Sequence, residues 1–291
     1  MKNEANLLLG VDWGTSNRRA YLVDGHGACL AKHADDQGML AVGGRFAESL
    51  AALRSAMHID AGVPAVLSGM VGSAGGWQEV PYVDSAVALA DLPGKLAPVH
   101  GQPGCSIVPG YCYRGDTVDV MRGEETQLLG AGVRDGWVVL PGTHSKWVLL
   151  RDGAIARFST FMTGELFAML AAGGTLSAIM QPGPDDGGAF RAGMAQARLG
   201  KPLTNSLFGV RARVVAGAMQ AAQARSFVSG LLIGTEFAAA TEGGDVFIIG
   251  SPALGERYAE AAAQFGMAAQ VLDPDTVYLA ALNHLYQKAA S

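Results

Sequence analysis

The groups in this chain best suited to chemistry are short polar side chains set beside glycine at the ends of apolar runs. One such turn, Asp12-Trp13-Gly14-Thr15-Ser16-Asn17-Arg18, stands between the apolar runs Leu7–Val11 and Arg19–Val23. A second, Gly142-Thr143-His144-Ser145-Lys146, follows Trp137–Leu140 and leads into Trp147–Leu150. The two stretches match at Gly14/Gly142, Thr15/Thr143, Asp24/Asp152 and Gly25/Gly153, with a base at Arg18/Lys146. Each reads as a strand, a Gly-Thr-polar turn, a second strand and an Asp-Gly hairpin signal. Glycine lets a backbone approach a phosphate, and Thr15, Ser16 and Asn17 add short donors. An ordinary polar hairpin would use the same residues, but its recurrence favours a duplicated phosphate-binding device. Two such hairpins suit a polyphosphate held between two lobes, and so a two-domain phosphotransferase.

The elements that must position these turns follow from periodicity. Ala28–Lys32 reads as a third strand and Arg45–His58 as a helix, with Phe46, Leu50, Leu53 and Met57 on one face. Val63–Ser68 is a buried strand opening into the glycine-rich loop 69–77, Cys105–Val108 another strand, and Glu124–Val133 a helix. In the second half, Ala154–Ser159 reads as a strand. Helices are expected at 163–180, 187–199, 206–219 and 223–242. Val246–Ile249 is one more strand, a helix runs from Pro252 to Phe265, and a last helix spans Asp275–Lys288. Strands first and helices later, twice over, give an α/β architecture of two related lobes, 1–135 and 136–291. The last helix is a candidate to pack back on the first lobe.

Bulk properties remove several alternatives. A chain of 291 residues has room for two cores, and 49% hydrophobic against 16% charged residues describes a compact enzyme. A net charge of -5 argues against a nucleic-acid binder. Cys29, Cys105 and Cys112 lack metal or redox spacing; they read as buried small hydrophobes in a reducing cytoplasm. Met1–Asn6 leads into a strand too short for a signal peptide, and Ser229, Gly230, Gly234, Thr235 and Glu236 interrupt the most apolar stretch, so no membrane span is expected. There is no Gly-x-x-x-x-Gly-Lys-Ser/Thr loop, no dinucleotide-binding glycine pattern, no His-Glu-x-x-His and no Gly-x-Ser-x-Gly.

Longer strings make a resemblance specific. Asp12–Ala20, Ser68-Gly69-Met70-Val71-Gly72-Ser73, Met121-Arg122-Gly123-Glu124-Glu125-Thr126-Gln127, Leu140-Pro141-Gly142-Thr143-His144-Ser145-Lys146-Trp147-Val148 and Phe161–Phe167 occur in this order. From about residue 8 to about residue 285 the chain resembles the 2-dehydro-3-deoxygalactonokinase family, within the sugar kinase, heat-shock protein and actin superfamily. The resemblance implies two ribonuclease-H-like lobes, an actin-like ATPase fold, with ATP in the cleft. It implies that Asp12 reaches Mg²⁺, usually through water. Gly14, Thr15, Ser16 and Asn17, with Gly142, Thr143, His144 and Ser145, would hold phosphates, and Gly250 and Ser251 the adenosine side. The usual run of glycines is reduced at that last position.

Glu124 or Glu125 would orient the attacking hydroxyl and accept its proton late, the other acid serving the helix dipole; Asp119 is a weaker candidate. Lys146 would neutralise charge on the transferred group. The acceptor, a small sugar acid phosphorylated at its terminal hydroxyl, would meet Met70, Gly72 and Trp77, where a core tryptophan is the plainer account. Arg18, Arg19 and Arg122 are bases suited to its carboxylate. Glu165 is a further substrate candidate, or a helix-start acid. Two rivals share the scaffold: a phosphoanhydride hydrolase, suggested by Arg122-Gly123-Glu124-Glu125, and a non-catalytic ATP-binding module. An isologous dimer is the base-rate expectation for the assembly.

Overall fold

The structure, a computed structural model, describes residues 7–240 and 243–289. The expectation for Met1–Asn6 and the end of the helix expected at 223–242 lie outside the described residues. In chain order the elements are β1 (Leu7–Trp13), β2 (Arg18–Asp24), β3 (Cys29–Asp35), α1 (Met39–Val42), α2 (Phe46–Ala56), β4 (Ala65–Gly69), β5 (Val83–Asp84), β6 (Ala97–Pro98), β7 (Cys105–Ile107), β8 (Tyr111–Arg114), β9 (Val118–Met121) and α3 (Glu124–Ala131). There follow β10 (Gly136–Leu140), β11 (Ser145–Arg151), β12 (Ala154–Phe161), α4 (Thr163–Ala172), α5 (Gly187–Ala197), α6 (Leu203–Val215), α7 (Ala224–Ala239), β13 (Val246–Ile249), α8 (Pro252–Gln264), β14 (Ala269–Leu272) and α9 (Pro274–Ala289). None of the described helices is long and apolar enough to cross a membrane.

Two compact units emerge. The first takes the chain up to Asp135, Val148–Phe158 and the segment from Leu272 onward; the second takes Gly136–Trp147 and Ser159–Val271. The division therefore differs from a single cut after residue 135. In the first unit a six-stranded sheet runs β3-β2-β1-β4-β7-β6. β1 and β2 are antiparallel, whereas β1 and β4 are parallel with Asp12 beside Ser68 and Trp13 beside Gly69. This is the ribonuclease-H-like order. β1 and β4 are buried almost throughout, as a central parallel strand requires. Val11, Trp13, Phe46, Leu50, Leu53, Leu67 and Ile107 form their core. α9 packs beneath it: Leu282 lies against Gly10, and Tyr278 meets Tyr21 at 5.1 Å between rings.

The second five-stranded sheet has the related order β12-β11-β10-β13-β14, with β10 and β13 parallel. Its helices α4 to α7 enclose a separate apolar cluster around Phe227, Val228 and Leu231. The Asp-Gly signals both make turns, of different kinds. Asp152 and Gly153 both have positive φ, 52° and 77°, as a two-residue hairpin demands. Asp24 instead opens a longer loop, accepting from the N–H groups of His26 and Ala28.

Several expectations are corrected. The helix expected at 163–180 ends at Ala172, where Gly173-Gly174 breaks it, Gly174 at φ 74°. The small sheet β5-β8-β9, and β14, were not anticipated; strands of two to four residues leave too little alternation to detect. Cys105 and Cys112 are buried, but Cys29 is exposed on β3, the sheet's outer strand.

Candidate active site

In the first unit, the sheet brings three distant sequence segments to the ends of its central strands. Asp12 is the partly exposed residue near the end of β1; the parallel register pairs it with Ser68 of β4, and a Cβ added at Gly69 would lie 3.5 Å from Asp12 Oδ1. Gly123, just before α3, stacks on Gly69: a Cβ at Gly123 would lie 3.3 Å from the Gly69 Cα. Asp12, the Ser68–Gly72 segment and the Glu124-Glu125 pair are thereby neighbours. The turn beyond Asp12 exposes Thr15, Ser16 and Asn17. It is closed by the Gly14 N–H on the Asn17 carbonyl, 2.9 Å. A brace that the sequence did not reveal holds it from below: Met39 and Leu40 N–H groups donate to the carbonyls of Gly14 and Thr15, and Trp13 Nε1 donates to the Gln37 carbonyl. Backbone donors leave no composition signal, so only coordinates find them.

Asp12 is ion-paired with Arg19 at 2.6 Å. Arg19 in turn lies 3.9 Å from Asp275, which accepts from Tyr21 and Lys32. Among the described residues no group of three or more His, Cys, Asp or Glu could hold a metal alone. A single carboxylate suits Mg²⁺, which keeps its waters and takes most other ligands from phosphate.

The two glutamates, inseparable by sequence, differ sharply in space. Glu124 is partly exposed and accepts from the Arg122 N–H at 3.1 Å. Glu125 is 0% exposed, its Oε2 accepting from the Gly123 N–H at 2.7 Å, its Oε1 without a protein partner. Burial first, then the neighbouring Glu124 charge, pushes its carboxyl up to about 8. A folded-state value above the ordinary 4.5 means the folded chain binds that proton more tightly. Its contribution to stability is complete below 4.5 and is lost as pH rises through 8, by up to about 1.4 kcal/mol per pH unit. Glu125→Gln is therefore expected to flatten this fall, gaining stability relative to the parent between pH 5 and 8 in urea titrations. Parallel pH profiles would refute it.

The remaining candidates of this unit divide. Arg122 lies against Gly72, whose added Cβ would stand 2.8 Å from Nη1. Its Nη2 donates to the Val80 carbonyl and its plane covers Tyr82 at 4.3 Å, while Nε and Nη1 have no protein partner. Arg18 is not a free base. It is 3% exposed, forks onto both oxygens of Asp35 at 3.1 and 2.6 Å, and donates to Ser49. Alternation along β2 turns it inward from the turn. Trp77 stacks on Phe46 at 6.0 Å and edges Trp13, packing as core rather than standing free. Met70 is partly buried at the start of the same loop.

In the second unit, Gly142, Thr143 and His144 are exposed at the tip between β10 and β11. Gly250 follows β13, the parallel neighbour of β10, and lies against Pro141. The expected phosphate and adenosine segments are therefore adjacent, at the carboxyl ends of parallel strands where α/β sheets bind ligands. Ser251 stands at the N-cap position of α8, ahead of Pro252, without a side-chain capping bond. Ser145 departs from expectation: it is fully buried, and its hydroxyl donates to Glu236 at 2.7 Å. Lys146 is 5% exposed within β11, on the sheet face opposite Ser145 and Trp147. Glu165 sits at the second turn, pairing with His144 at 2.5 Å while its N–H donates to the Thr143 carbonyl.

Glu236 was missed. Its sequence signal is one acid inside an apolar helix, a position that must find donors or neutralise. It finds four: Ser145, Trp147, Thr163 and Tyr258. Burial pushes its carboxyl up while those donors pull it down.

Comparison with known proteins supplies the family. The family described as 2-keto-3-deoxy-galactonokinase matches residues 12–285. A Rhizobium meliloti protein named as a 2-dehydro-3-deoxygalactonokinase is 38% identical over 294 residues, 96% of each chain. The 2-dehydro-3-deoxygalactonokinase of Escherichia coli is 31% identical, covering 97% of this chain and 98% of its own. A Sinorhizobium meliloti crystal structure described as the same kinase superimposes with a TM-score of 0.91 at 35% identity, covering 97% of this chain and 99% of that one.

Proposed function

We propose that this chain, which belongs to the 2-keto-3-deoxy-galactonokinase family, transfers the γ-phosphoryl group of ATP to the terminal hydroxyl of 2-dehydro-3-deoxy-D-galactonate. The observation that carries this reading is the family match across residues 12–285. The meeting of Asp12, Gly69 and the start of α3 at the ends of the central strands supports it independently.

The roles follow the surviving geometry. Exposed Thr15, Ser16 and Asn17 on one turn and Gly142, Thr143 and His144 on the other donate to phosphates, with Gly250 and Ser251 toward the adenosine. Asp12 is the residue that would hold Mg²⁺, which when bound supplies charge neutralisation on the phosphates. Glu124 orients the acceptor hydroxyl and takes its proton. Met70, Gly72 and Arg122 face the acceptor, Arg122 with two nitrogens still unpartnered. Arg18, Ser145 and Trp77 leave the list, because their polar or aromatic groups are already engaged. Lys146 keeps a charge role only through the buried interior of β11. Unpaired cysteines fit a reducing, cytoplasmic setting.

A coupled ADP-release assay with a panel of 2-keto-3-deoxy sugar acids tests the assignment. The galactonate-derived acceptor should exceed its gluconate-derived epimer by at least about tenfold in kcat/KM, the worth of one misplaced hydroxyl. Equal rates would overturn the narrow substrate. Phosphate release at one rate with or without acceptor would favour the hydrolase. Asp12→Asn is expected to lower kcat by about a hundredfold, as loss of one charge-stabilising group does. Unchanged turnover would remove Asp12 from the mechanism.

A further inference from the structure

We propose that Glu236 is a positioning residue for the second phosphate turn, fixing where Gly142-Thr143-His144 stands relative to the start of α4. This rests on the proposed nucleotide role of that turn.

Glu236 is 1% exposed in the last turn of α7, and its two oxygens divide their work. Oε2 accepts from the Ser145 hydroxyl and from Trp147 Nε1, each at 2.7 Å, so it holds the first turn of chain after the tip. Oε1 accepts from Tyr258 of α8 at 2.7 Å and from the Thr163 hydroxyl at the first residue of α4. α4 then touches the tip directly. The Glu165 N–H donates to the Thr143 carbonyl at 3.0 Å, and His144 pairs with Glu165. Gly164 lies so close that an added Cβ would stand 2.4 Å from the Gly142 carbonyl oxygen. The tip is therefore held from both sides by segments that end on one carboxylate. A carboxylate has about four acceptor sites, and here four donors address them. No proton-accepting capacity remains for chemistry, so its role is placement.

Glu236→Gln presents an amide N–H₂ to one pair of donors. Trp147 can only donate, whereas the hydroxyls of Thr163 and Tyr258 can turn and accept. The amide oxygen is then expected to stay with Ser145 and Trp147, and the α4 link to weaken. The decisive pair is Thr163→Val against Thr163→Ser, which removes or keeps that hydroxyl in a residue that needs no refolding of the core. Thr163→Val should raise the KM for ATP, and the calorimetric Kd of a non-hydrolysable ATP analogue, by about tenfold, as sub-ångström misplacement of a binding group does. The KM for the sugar acid should stay within about twofold, and Thr163→Ser should restore both nucleotide constants. A fall in thermal midpoint with both KM values unchanged would make the cluster a fold support only, and the proposal fails. Thr143→Val is the control. If it leaves nucleotide affinity unchanged, the role of the turn fails first, and Glu236's with it.

Discussion

Glu124→Gln is expected to lower kcat by roughly 10²–10⁴-fold, the usual worth of a positioned general base. The substitution keeps size and an oxygen for the Arg122 N–H, so the local backbone should hold. It removes the ability to take a proton. The KM for ATP should stay within about twofold, since nothing in the phosphate turns is touched. The neighbouring acid supplies the comparison. Glu125 is sealed from solvent and, with its carboxyl pushed up to about 8, is mostly protonated at neutral pH. A group that cannot touch an acceptor hydroxyl cannot serve it, so Glu125→Gln should cost less than about tenfold in kcat. Steady-state rates with both substrates varied decide between them. A large loss in Glu125→Gln beside a mild one in Glu124→Gln would exchange the two roles.

The sequence was legible wherever function needed a run of residues. The paired Gly-Thr turns, the Met-Arg-Gly-Glu-Glu string and the α/β alternation are each continuous along the chain, and each stands where periodicity put it. It was illegible where function depends on which way one side chain points. Arg18 and Ser145 have the right types at turns of the right kind, yet alternation along β2 turns Arg18 inward and β11, buried on both faces, encloses Ser145. Their places beside the Gly-Thr turns made them look like ligand donors; burial of both Arg18 and its match Lys146 shows that the base is an interior feature of this hairpin. Glu236 was hidden for the opposite reason. Its partners come from residues 145, 147, 163 and 258, a convergence no local pattern encodes.

Gly69→Ala and Gly123→Ala are expected to damage the first unit for a reason that differs from ligand access. Gly69 sits at φ 86°, ψ -148°, a region closed to side chains. A Cβ there would stand 2.7 Å from the Trp13 carbonyl oxygen and 3.5 Å from Asp12 Oδ1. Strain and overpacking together should cost roughly 2–6 kcal/mol, a large share of the roughly 5–15 kcal/mol that holds a typical domain. Gly123, at φ 109°, meets Gly69 less tightly, and Gly123→Ala should cost about 1–3 kcal/mol. Urea unfolding measures both. A Cβ at Gly123 would meet the Gly69 Cα, while one at Gly69 would meet the Trp13 carbonyl, so a shift of Gly69 away from Trp13 changes the room at Gly123 and the double variant should depart from the sum. The same shifts move Glu124 relative to Asp12, so residual activity should fall further than the folded fraction. Strict additivity, with activity tracking folded protein alone, would mean that this glycine contact does not set the distance between those two carboxylates.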